Sequence, residues 1–446
     1  METTQSWNFV STLEARDRSN ASHDHGFALV AVLLLMAVVS LVTATVLQTT
    51  STEIQISGNH KQAVQEFYAA EAGLAEARSR LRKTGATDVS FIADPAVMPD
   101  PSWTAYIVES AEWSPSFDPE YVSHETNVIP LPGHPTNTVV QPNSLQTGIP
   151  YWAKIRHKTE YDAERVGHKP ATPHYVDLDG STARHRKGNR GNIVYYGYPS
   201  PADTVPVSFT THTSTPWLPI EKIVAHGSAT NGTVVLEEEV YHPPGPNQLG
   251  ALHASGSVSL AGVPGSIDGH DACGAVGSLP PVVYGGTITS VPTIHFDGTP
   301  ASPQHSPHVP APASALAALN TDAVALNADQ INQHLGTALV PMTFYAEGGL
   351  FPQPQGIRFQ QTRGFGILLV NGNATLEGEV QWDGMILVSG TLFLNGQGSG
   401  IVIRGAVWAG EIDQPTGPLT VQYDSCRLKA ALLSLPTRVR TWREIF

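Results

Sequence analysis

The sequence has few charged residues for its length, and it is rich in turn-forming ones. Of its 446 residues 14% are charged, while glycine and proline number 40 and 35. This composition argues against a mostly helical surface and indicates a β-rich body joined by turns. The formal net charge of −14 is spread along the chain, which argues against nucleic-acid binding as the main design. The basic exception, Arg184 to Arg190, is predicted to be a solvated loop rather than a site for DNA or anionic lipid.

Signatures of catalysis are missing as well. The sequence has no G-x-S-x-G elbow, no P-loop, no HExxH, and no Rossmann glycine pattern in a strand-to-helix setting. His305 and His308 lie in a proline-rich loop, where metal binding is not expected. Asp268 and Asp271 flank glycine and could bind Ca²⁺, but a plain Asx turn is the favoured interpretation. We therefore predict no enzyme, no metal ion and no cofactor.

Cysteine is scarce, with only Cys273 and Cys426 in the chain. Neither residue has the CxxC or histidine spacing of a zinc site. If the body is exported, the pair is best interpreted as one disulfide, and two buried free thiols are the alternative. In the chain-entropy model a loop of about 150 residues would stabilise the fold by on the order of 4 to 5 kcal/mol.

Charge is entirely absent between Gly26 and Thr52. The apolar core of this segment, Phe27 to Leu47, would form a helix about 31 Å long, which matches the hydrocarbon thickness of a bilayer. A secretory signal would begin with basic residues and end in a small-residue cleavage site after the apolar run, whereas here the best processing point precedes it. The segment is thus predicted to span a membrane, and an ordinary single-pass anchor remains one interpretation.

The residues after the span are typical of a continuing helix. From Glu53 to Lys83 there is no proline, and alanine, glutamate, leucine, glutamine and arginine dominate. An apolar stripe recurs at spacings of three and seven, formed by Val64, Phe67, Leu74 and Leu81, with Glu66, Glu76, Arg78 and Arg82 predicted to point elsewhere. Such a helix can remain in lipid at one end and pack on a folded domain at the other.

Two motifs in this helix carry a family resemblance. They are Gly26-Phe27 at the head of the apolar run and GNHKQAVQEFYAAEAGLAEA, residues 58 to 77. The segment from Gly26 to Leu81 resembles the N-terminal region of PilX-type minor pilins of type IV pilus systems. The resemblance implies cleavage by a prepilin peptidase after Gly26 and methylation of the new N-terminal Phe27. It also implies packing in membrane and filament through Phe27, Leu29, Leu33, Leu34, Leu35, Val38 and Leu41.

The segment departs from the major pilins in two respects. The fifth mature position is Ala31, where most major pilins carry glutamate, and the leader before Gly26 is acidic rather than basic. A subunit with no neighbour ahead of it does not need that carboxylate to pair with an N-terminal amine, so its absence fits a priming or capping subunit. The acidic leader raises the expectation of a start codon downstream of Met1.

The resemblance also implies partners and a location. The expected partners are other minor and major pilins, the prepilin peptidase, the inner-membrane pilus assembly machinery and membrane lipid. The expected location is a single pass of the inner membrane with a periplasmic body, and the pilus or cell surface after assembly.

The exported part is predicted to fold as α+β, with a long N-terminal helix packed on an antiparallel pilin-like sheet. Strands are predicted at 103–108, 151–155, 192–196, 220–225 and 232–241, and long surface loops at 117–148 and 167–188. We expect four parts: a prepilin leader (1–26), the helix (27–83), a pilin-like β-rich domain (84–245) and a β-solenoid-like domain (246–446). The last contains an expected proline-rich and helical insertion at 279–335, with its helix at 313–335.

An internal repeat supports the solenoid-like domain. Gly250–Gly262, Gly366–Gly378 and Gly384–Gly396 align without gaps, with glycine in the first, seventh and last places. Gly400–Gly410 follows as a shorter relative. Glycine corners between short apolar strands are what stacked solenoid turns require, and a β-sandwich with shared glycine turns is the alternative. The first copy lies more than 100 residues before the others, so it would have to return to the stack.

The favoured function is a non-enzymatic minor pilin that helps to initiate or cap assembly and presents a large outer domain. A second interpretation is a surface adhesin or glycan-binding module on a pilin-like anchor. A solenoid polysaccharide-active enzyme is the least favoured, because it needs a row of charged residues on one face. The repeats offer few candidates for that row: Glu377, Glu379, Asp383 and Arg404.

Overall fold

The computed structural model describes residues 25–83, 89–90, 103–107, 137–140, 151–165, 175–176, 193–196, 218–228, 232–243, 245–261, 264–348 and 356–445. The chain divides into two compact units, Met1–Val64 and Gln65–Phe446. Most of the predicted leader, the basic cluster at 184–190 and most of the two predicted long loops lie outside the described residues. Expectations about those segments therefore remain predictions.

One long helix, α1, runs from His25 to Leu81. It contains no proline, and residues with high helix propensity dominate its second half. Arg78 and Arg80 lie in its last turn, where positive charge stabilises the carboxyl end of a helix. The sequence-based prediction of one helix continuing from the apolar run to about Lys83 is thus confirmed.

A first sheet follows the helix and contains eight strands among the described residues. They are β1 (Thr104–Ile107), β2 (Asn137–Val140), β3 (Tyr151–His157), β4 (Tyr175–Val176), β5 (Tyr195–Tyr196), β6 (Leu218–Ser228), β7 (Thr233–Tyr241) and β23 (Arg438–Ile445), with the short helix α2 (Glu160–Arg165) after β3. All five predicted strand segments overlap observed strands. Most pairs are antiparallel, including β1 with β3, β3 with β6 and β6 with β7, while β1 and β2 are parallel.

The last strand of the chain belongs to this first sheet. β23 pairs antiparallel with β7, with Val439 opposite Val240 and Ile445 opposite Val235. Residues 242–437 therefore lie between two neighbouring strands of one sheet, whereas the predicted boundary assigned everything from 246 to 446 to the second domain. Two ion pairs reinforce this pairing and were not apparent from the sequence: Arg440 Nη1 lies 2.5 Å from Glu239 Oε2, and Arg443 Nη2 lies 2.5 Å from Glu237 Oε1.

In the part of the chain that the structure describes, the second sheet contains fifteen strands, and every pairing between them is parallel. Its strands are β8 (Leu252–Ala254), β9 (Val258–Leu260), β10 (Gly265–Asp268), β11 (Val282–Tyr284), β12 (Ile288–Ser290), β13 (Ile294–Asp297), β14 (Gln304–His305), β15 (Val324–Ala325), β16 (Gln330–Ile331), β17 (His334–Leu335), β18 (Met342–Glu347), β19 (Ile357–Gln360), β20 (Arg363–Asn371), β21 (Ala374–Thr416) and β22 (Leu419–Gln422). Two short helices, α3 (Pro312–Leu319) and α4 (Ser425–Leu432), accompany them.

The repeat copies align in space as they align in sequence. Gly366 lies opposite Gly384 in the β20–β21 pairing, so the second and third copies stack in register. The first copy also enters the stack, because Leu252 to Ala254 pair with Val407 to Ala409. In sequence order, the first turn of the stack therefore packs on its last turn. The two segments that meet there are about 150 residues apart in the chain. We call this junction the seam, formed by β8, β9 and β10 against β21 and β22.

The predicted insertion at 279–335 is instead part of the stack. β11 and β12 pair with β8 and β9, which extends the sheet beyond the first copy. The predicted helix at 313–335 is wrong beyond Leu319, since β15, β16 and β17 occupy its second half. The alanine-rich composition favoured a helix, but Asp322 and Asn332 adopt φ of 57° and 52°. Such left-handed residues break a helix and are tolerated best by Asp and Asn.

Candidate assembly helix and its supporting contacts

The first half of α1 presents apolar side chains all round. The seven residues predicted to pack in membrane and filament have exposed fractions between 52% and 80%: Phe27, Leu29, Leu33, Leu34, Leu35, Val38 and Leu41. By length and composition, one helix among the described residues could cross a membrane, and none of its most apolar window is buried. An uncovered apolar surface of this size indicates a lipid or protein environment rather than water.

Four threonine hydroxyl groups in this half of the helix are satisfied internally. Thr43 donates to the Val39 carbonyl at 2.7 Å, Thr45 to Leu41 at 2.7 Å, Thr49 to Thr45 at 2.9 Å and Thr52 to Gln48 at 2.9 Å. Polar groups in hydrocarbon must find partners within the protein, and these four do so one turn back. The stretch compatible with lipid thus extends beyond Leu47 to Thr52, because no charged residue occurs from Gly26 to Thr52.

The predicted cleavage site lies at the start of this helix. α1 begins at His25, so the Gly26–Phe27 bond falls within its first turn. Phe27 is 80% exposed. Processing at this bond and methylation of Phe27 remain predictions.

The second half of α1 packs on the first sheet through small residues. Ala69, Ala70 and Ala77 are buried, and a Cβ on Gly73 would lie 3.0 Å from Tyr151 Cδ2 and 3.1 Å from Ala225 Cβ. The strand approaches just as closely, since a Cβ on Gly227 would lie 2.1 Å from the Glu66 carbonyl oxygen. The AAEAGL motif therefore has a structural meaning: its small residues let the helix backbone contact the sheet directly.

Charged residues of this half are more buried than the sequence suggested. Leu74 and Leu81 of the predicted stripe are buried, but so are Glu66 and Glu76, which were predicted to point away. Arg80 Nε lies 2.7 Å from Glu76 Oε1, one turn apart and almost fully covered. A paired carboxylate can enter a core that an isolated one would avoid, which is why hydrophobic periodicity alone identified the buried leucines but not the buried glutamates.

A layer of buried ion pairs lies on β3, β6 and β7, and sequence reasoning missed it. Arg156 holds Asp162 with two contacts of 2.5 and 2.6 Å. Lys222 Nζ lies 2.6 Å from Glu237 Oε2, and Lys158 Nζ lies 2.6 Å from Glu239 Oε1. Burial opposes ionisation of Asp162, but Arg156, Lys222 and Thr159 outweigh it and lower the pKa of that carboxyl. The available signal was LEEEVY, an acidic run inside a strand.

The predicted disulfide is present in the structure, and it lies at the seam. Cys273 follows β10 and Cys426 lies in α4, with 5.8 Å between their Cα atoms. The Asp271 carboxylate reinforces the same contact: it accepts from Ser425 N at 2.8 Å and Ser425 Oγ at 2.7 Å, and from the amides of Ala275 and Val276. Burial alone would raise the pKa of the Asp271 carboxyl. Hydrogen bonds to the carboxylate outweigh this effect, and the pKa is lowered from its ordinary value. Asp271 is therefore a structural clamp, and both of its carboxylate oxygens already accept hydrogen bonds.

Asp268 lies apart from this clamp, in a small polar group. His270 Nδ1 lies 2.9 Å from Asp268 Oδ1 and 3.6 Å from Asp297 Oδ1. The Asp268 carboxylate also accepts the His270 backbone amide at 2.8 Å, as an Asx turn requires. The group is half-exposed, and local hydrogen bonds account for its geometry.

The residues considered for a polysaccharide-active site make structural contacts. Glu377 lies 3.5 Å from Arg358, and Glu379 accepts the Ser399 amide at 3.0 Å. Asp383 lies 3.4 Å from Arg404 and 3.8 Å from Arg427. These pairs bridge neighbouring turns of the stack, and none of them forms an isolated carboxylate pair.

Removal of the disulfide is expected to loosen the seam. The Cys273→Ser/Cys426→Ser double variant should lose about 2 to 4 kcal/mol of unfolding free energy, because the cross-link closes a very long loop. The measurement is urea unfolding monitored by fluorescence, with and without reductant. Reductant should lower the unfolding free energy of wild type to that of the variant, and it should leave the unfolding free energy of the variant unchanged. Equal stability of oxidised wild type and variant would contradict this role.

Comparisons with known proteins agree with the N-terminal features. Residues 25–75 match the family model described as PilX N-terminal, which confirms the resemblance for that segment. No curated protein matches the chain. Among solved structures, the crystal structure of the competence-associated pilin ComZ from Thermus thermophilus aligns over 86% of this chain and 97% of its own, at 10% identity. Its TM-score is 0.21, which supports no conclusion about the fold.

Proposed function

We propose that this chain, whose residues 25–75 match the PilX N-terminal family, is a non-enzymatic minor pilin of a type IV pilus system. In this account Phe27 to about Thr52 holds the subunit in the inner membrane and later packs among the helices of other pilins. The single observation that carries the proposal is that the helix from Phe27 to Leu47 is apolar on every side and uncovered, within a segment that matches a pilin family.

The way α1 is attached supports a mechanical role for the helix. Its second half is fixed to the first sheet by backbone-close contacts at Gly73 and Gly227. A helix held this tightly can transmit the position of a filament core to the folded body. Van der Waals packing would be the binding force, since lipid and the interior of a helix bundle are similarly apolar.

We further propose that the parallel stack is a β-solenoid presented as cargo of this pilin body, with the body periplasmic before assembly and on the pilus or cell surface afterwards. The stack begins after β7 and ends before β23, which are paired neighbours in the first sheet. A module with both ends at adjacent strands can be added to a pilin without disturbing the rest of its sheet. Its size fits a priming or capping subunit that is needed in few copies. The contacts of Glu377, Glu379 and Asp383 support a presenting rather than a catalytic role.

Gly26→Leu tests the proposal. We expect the variant to keep its leader and to remain in the membrane fraction, because the peptidase no longer has a glycine before the cleaved bond. It should then be absent from appendages sheared from the cells, where wild type should be found. Gly58→Ala is the matched control: Gly58 lies in the same helix with nothing within 4 Å of an added Cβ. Leader removal in Gly26→Leu, or wild type missing from every appendage fraction, would contradict the proposal.

A further inference from the structure

A cleft of about 420 Å³ lies between α1 and the first sheet. The residues that line it are Tyr68, Glu71, Ala72, Leu74, Ala75, Arg78, Glu238 and Trp442. Tyr68 and Trp442 are 63% and 48% exposed, and both rings contact the Phe67 ring edge-on, with centroids 6.0 and 6.2 Å away. The cleft is thus open to solvent, with aromatic walls held in place by a shared neighbour.

Glu238 forms the polar part of the floor, and it is only 2% exposed. Its Oε1 lies 3.3 Å from Arg78 Nη1, a long contact to a side chain that is itself 41% exposed. Its Oε2 is buried and has no hydrogen-bond partner among the described residues. A buried carboxylate oxygen without a donor is costly, so its presence in an open cleft indicates a place for a ligand group.

The two neighbours of Glu238 in the strand show what is missing. Glu237 is paired with both Lys222 and Arg443, and Glu239 with both Lys158 and Arg440. Each of these buried acids therefore has two cations, while Glu238 has one within the described part of the chain. The cleft lacks the second positive charge that neighbouring elements supply to the other two buried glutamates of this strand.

The chemistry of the walls selects a cation as well. Glu71 adds a second carboxylate at the rim, so with Glu238 ionised and Arg78 charged the cleft carries one net negative charge. Tyr68 and Trp442 offer aromatic faces, which attract ammonium and guanidinium groups. An anion would meet two carboxylates, and a purely apolar group would leave Oε2 unpaired.

We infer that this cleft binds a lysine or arginine side chain of another protein subunit, whose charged end pairs with Glu238 Oε2 and Glu71 between Tyr68 and Trp442. The inference rests on the proposed function only in identifying that subunit as a neighbouring pilin. Burial raises the pKa of Glu238 while Arg78 opposes this, so the cleft should lose its negative charge, and its ligand, as the pH falls.

The test uses the full chain in detergent micelles, labelled with 5-fluorotryptophan, with the Trp442 signal assigned by Trp442→Phe. N-acetyl-lysine methylamide is the probe, and N-acetyl-norleucine methylamide has a similar chain without the ammonium group. We expect a saturable shift of the Trp442 ¹⁹F resonance with the lysine compound alone. Glu238→Gln should weaken binding about tenfold or more, as loss of a charge-assisted contact requires. Glu411→Gln, which removes an exposed acid of the second sheet, should have no effect.

Three outcomes would overturn the inference: no Trp442 shift with the lysine compound, equal shifts with both compounds, or unchanged binding in Glu238→Gln. Altered signals from the other tryptophans would show that Glu238→Gln has changed the fold. In that case the binding of the lysine compound to the wild-type protein is measured as a function of pH. Binding that does not weaken toward acid pH would then contradict the inference. None of these outcomes affects leader cleavage, so failure of the cleft and failure of the proposed function are distinguishable.

Discussion

Gly384→Ala is expected to unfold the parallel stack, with a loss above about 4 kcal/mol in unfolding free energy. Gly384 has φ of 127°, a region that only glycine adopts readily. A Cβ there would lie 2.1 Å from the Gly366 carbonyl oxygen in the preceding turn. The next turn is equally close, since a Cβ on Gly405 would lie 1.9 Å from the Gly384 carbonyl oxygen. Backbone on both sides prevents relief of the clash by a side-chain movement.

Gly378→Ala is the matched control for this effect. Gly378 also has positive φ, 77°, but its added Cβ would have Gln361 Cγ as nearest neighbour at an ordinary 3.5 Å. We expect it to cost only about 1 to 2 kcal/mol, the price of the left-handed conformation. Urea unfolding followed by circular dichroism, with amide exchange across 366–410, measures both variants. Equal losses would show that close stacking of the turns at Gly384 is not what stabilises them.

Leu33→Lys, or Leu35→Lys, is expected to abolish incorporation of the subunit into appendages. Both side chains lie in the uncovered apolar stretch, 58% and 65% exposed. A lysine at the centre of a span costs about 2.5 to 3.5 kcal/mol on insertion scales. The same charge would have no partner among apolar helices in a filament, so both the membrane and the assembled state are penalised.

The amount of variant in sheared appendages, relative to the amount in the cell, measures this effect. Leu33→Ile preserves the apolar surface and should assemble normally. Leu339→Lys makes the same chemical change at a site that is 73% exposed in the connection between β17 and β18, and it should also assemble. Normal incorporation of Leu33→Lys would contradict a packing role for the helix.

The sequence allowed prediction of the features that depend on local patterns. Charge-free residues 26–52 indicated the apolar helix, and the five strand segments before Tyr241 were recognisable from β-branched and aromatic runs. The glycine spacing of the repeat indicated that Gly366 and Gly384 would stack. Each of these features is decided by residues close together in the chain, where propensity and periodicity act directly.

The features that were missed depend on distant residues. The return of β23 to the first sheet is reinforced by Arg440 and Arg443 meeting Glu239 and Glu237, about 200 positions earlier. The seam depends on Asp271 reaching Ser425, and the cleft on Arg78 meeting Glu238. Nothing in the local pattern of an acidic strand or a basic tail identifies its partner. The residues that carry the further inference were therefore recognisable only in the folded chain.

The central claim is that the apolar helix is a processed pilin helix, and the mass and N-terminal sequence of the protein from cells with active prepilin peptidase test it most directly. The account predicts a chain that begins at Phe27 with a methylated amine. A mature protein that still carries residues preceding Gly26 would contradict it.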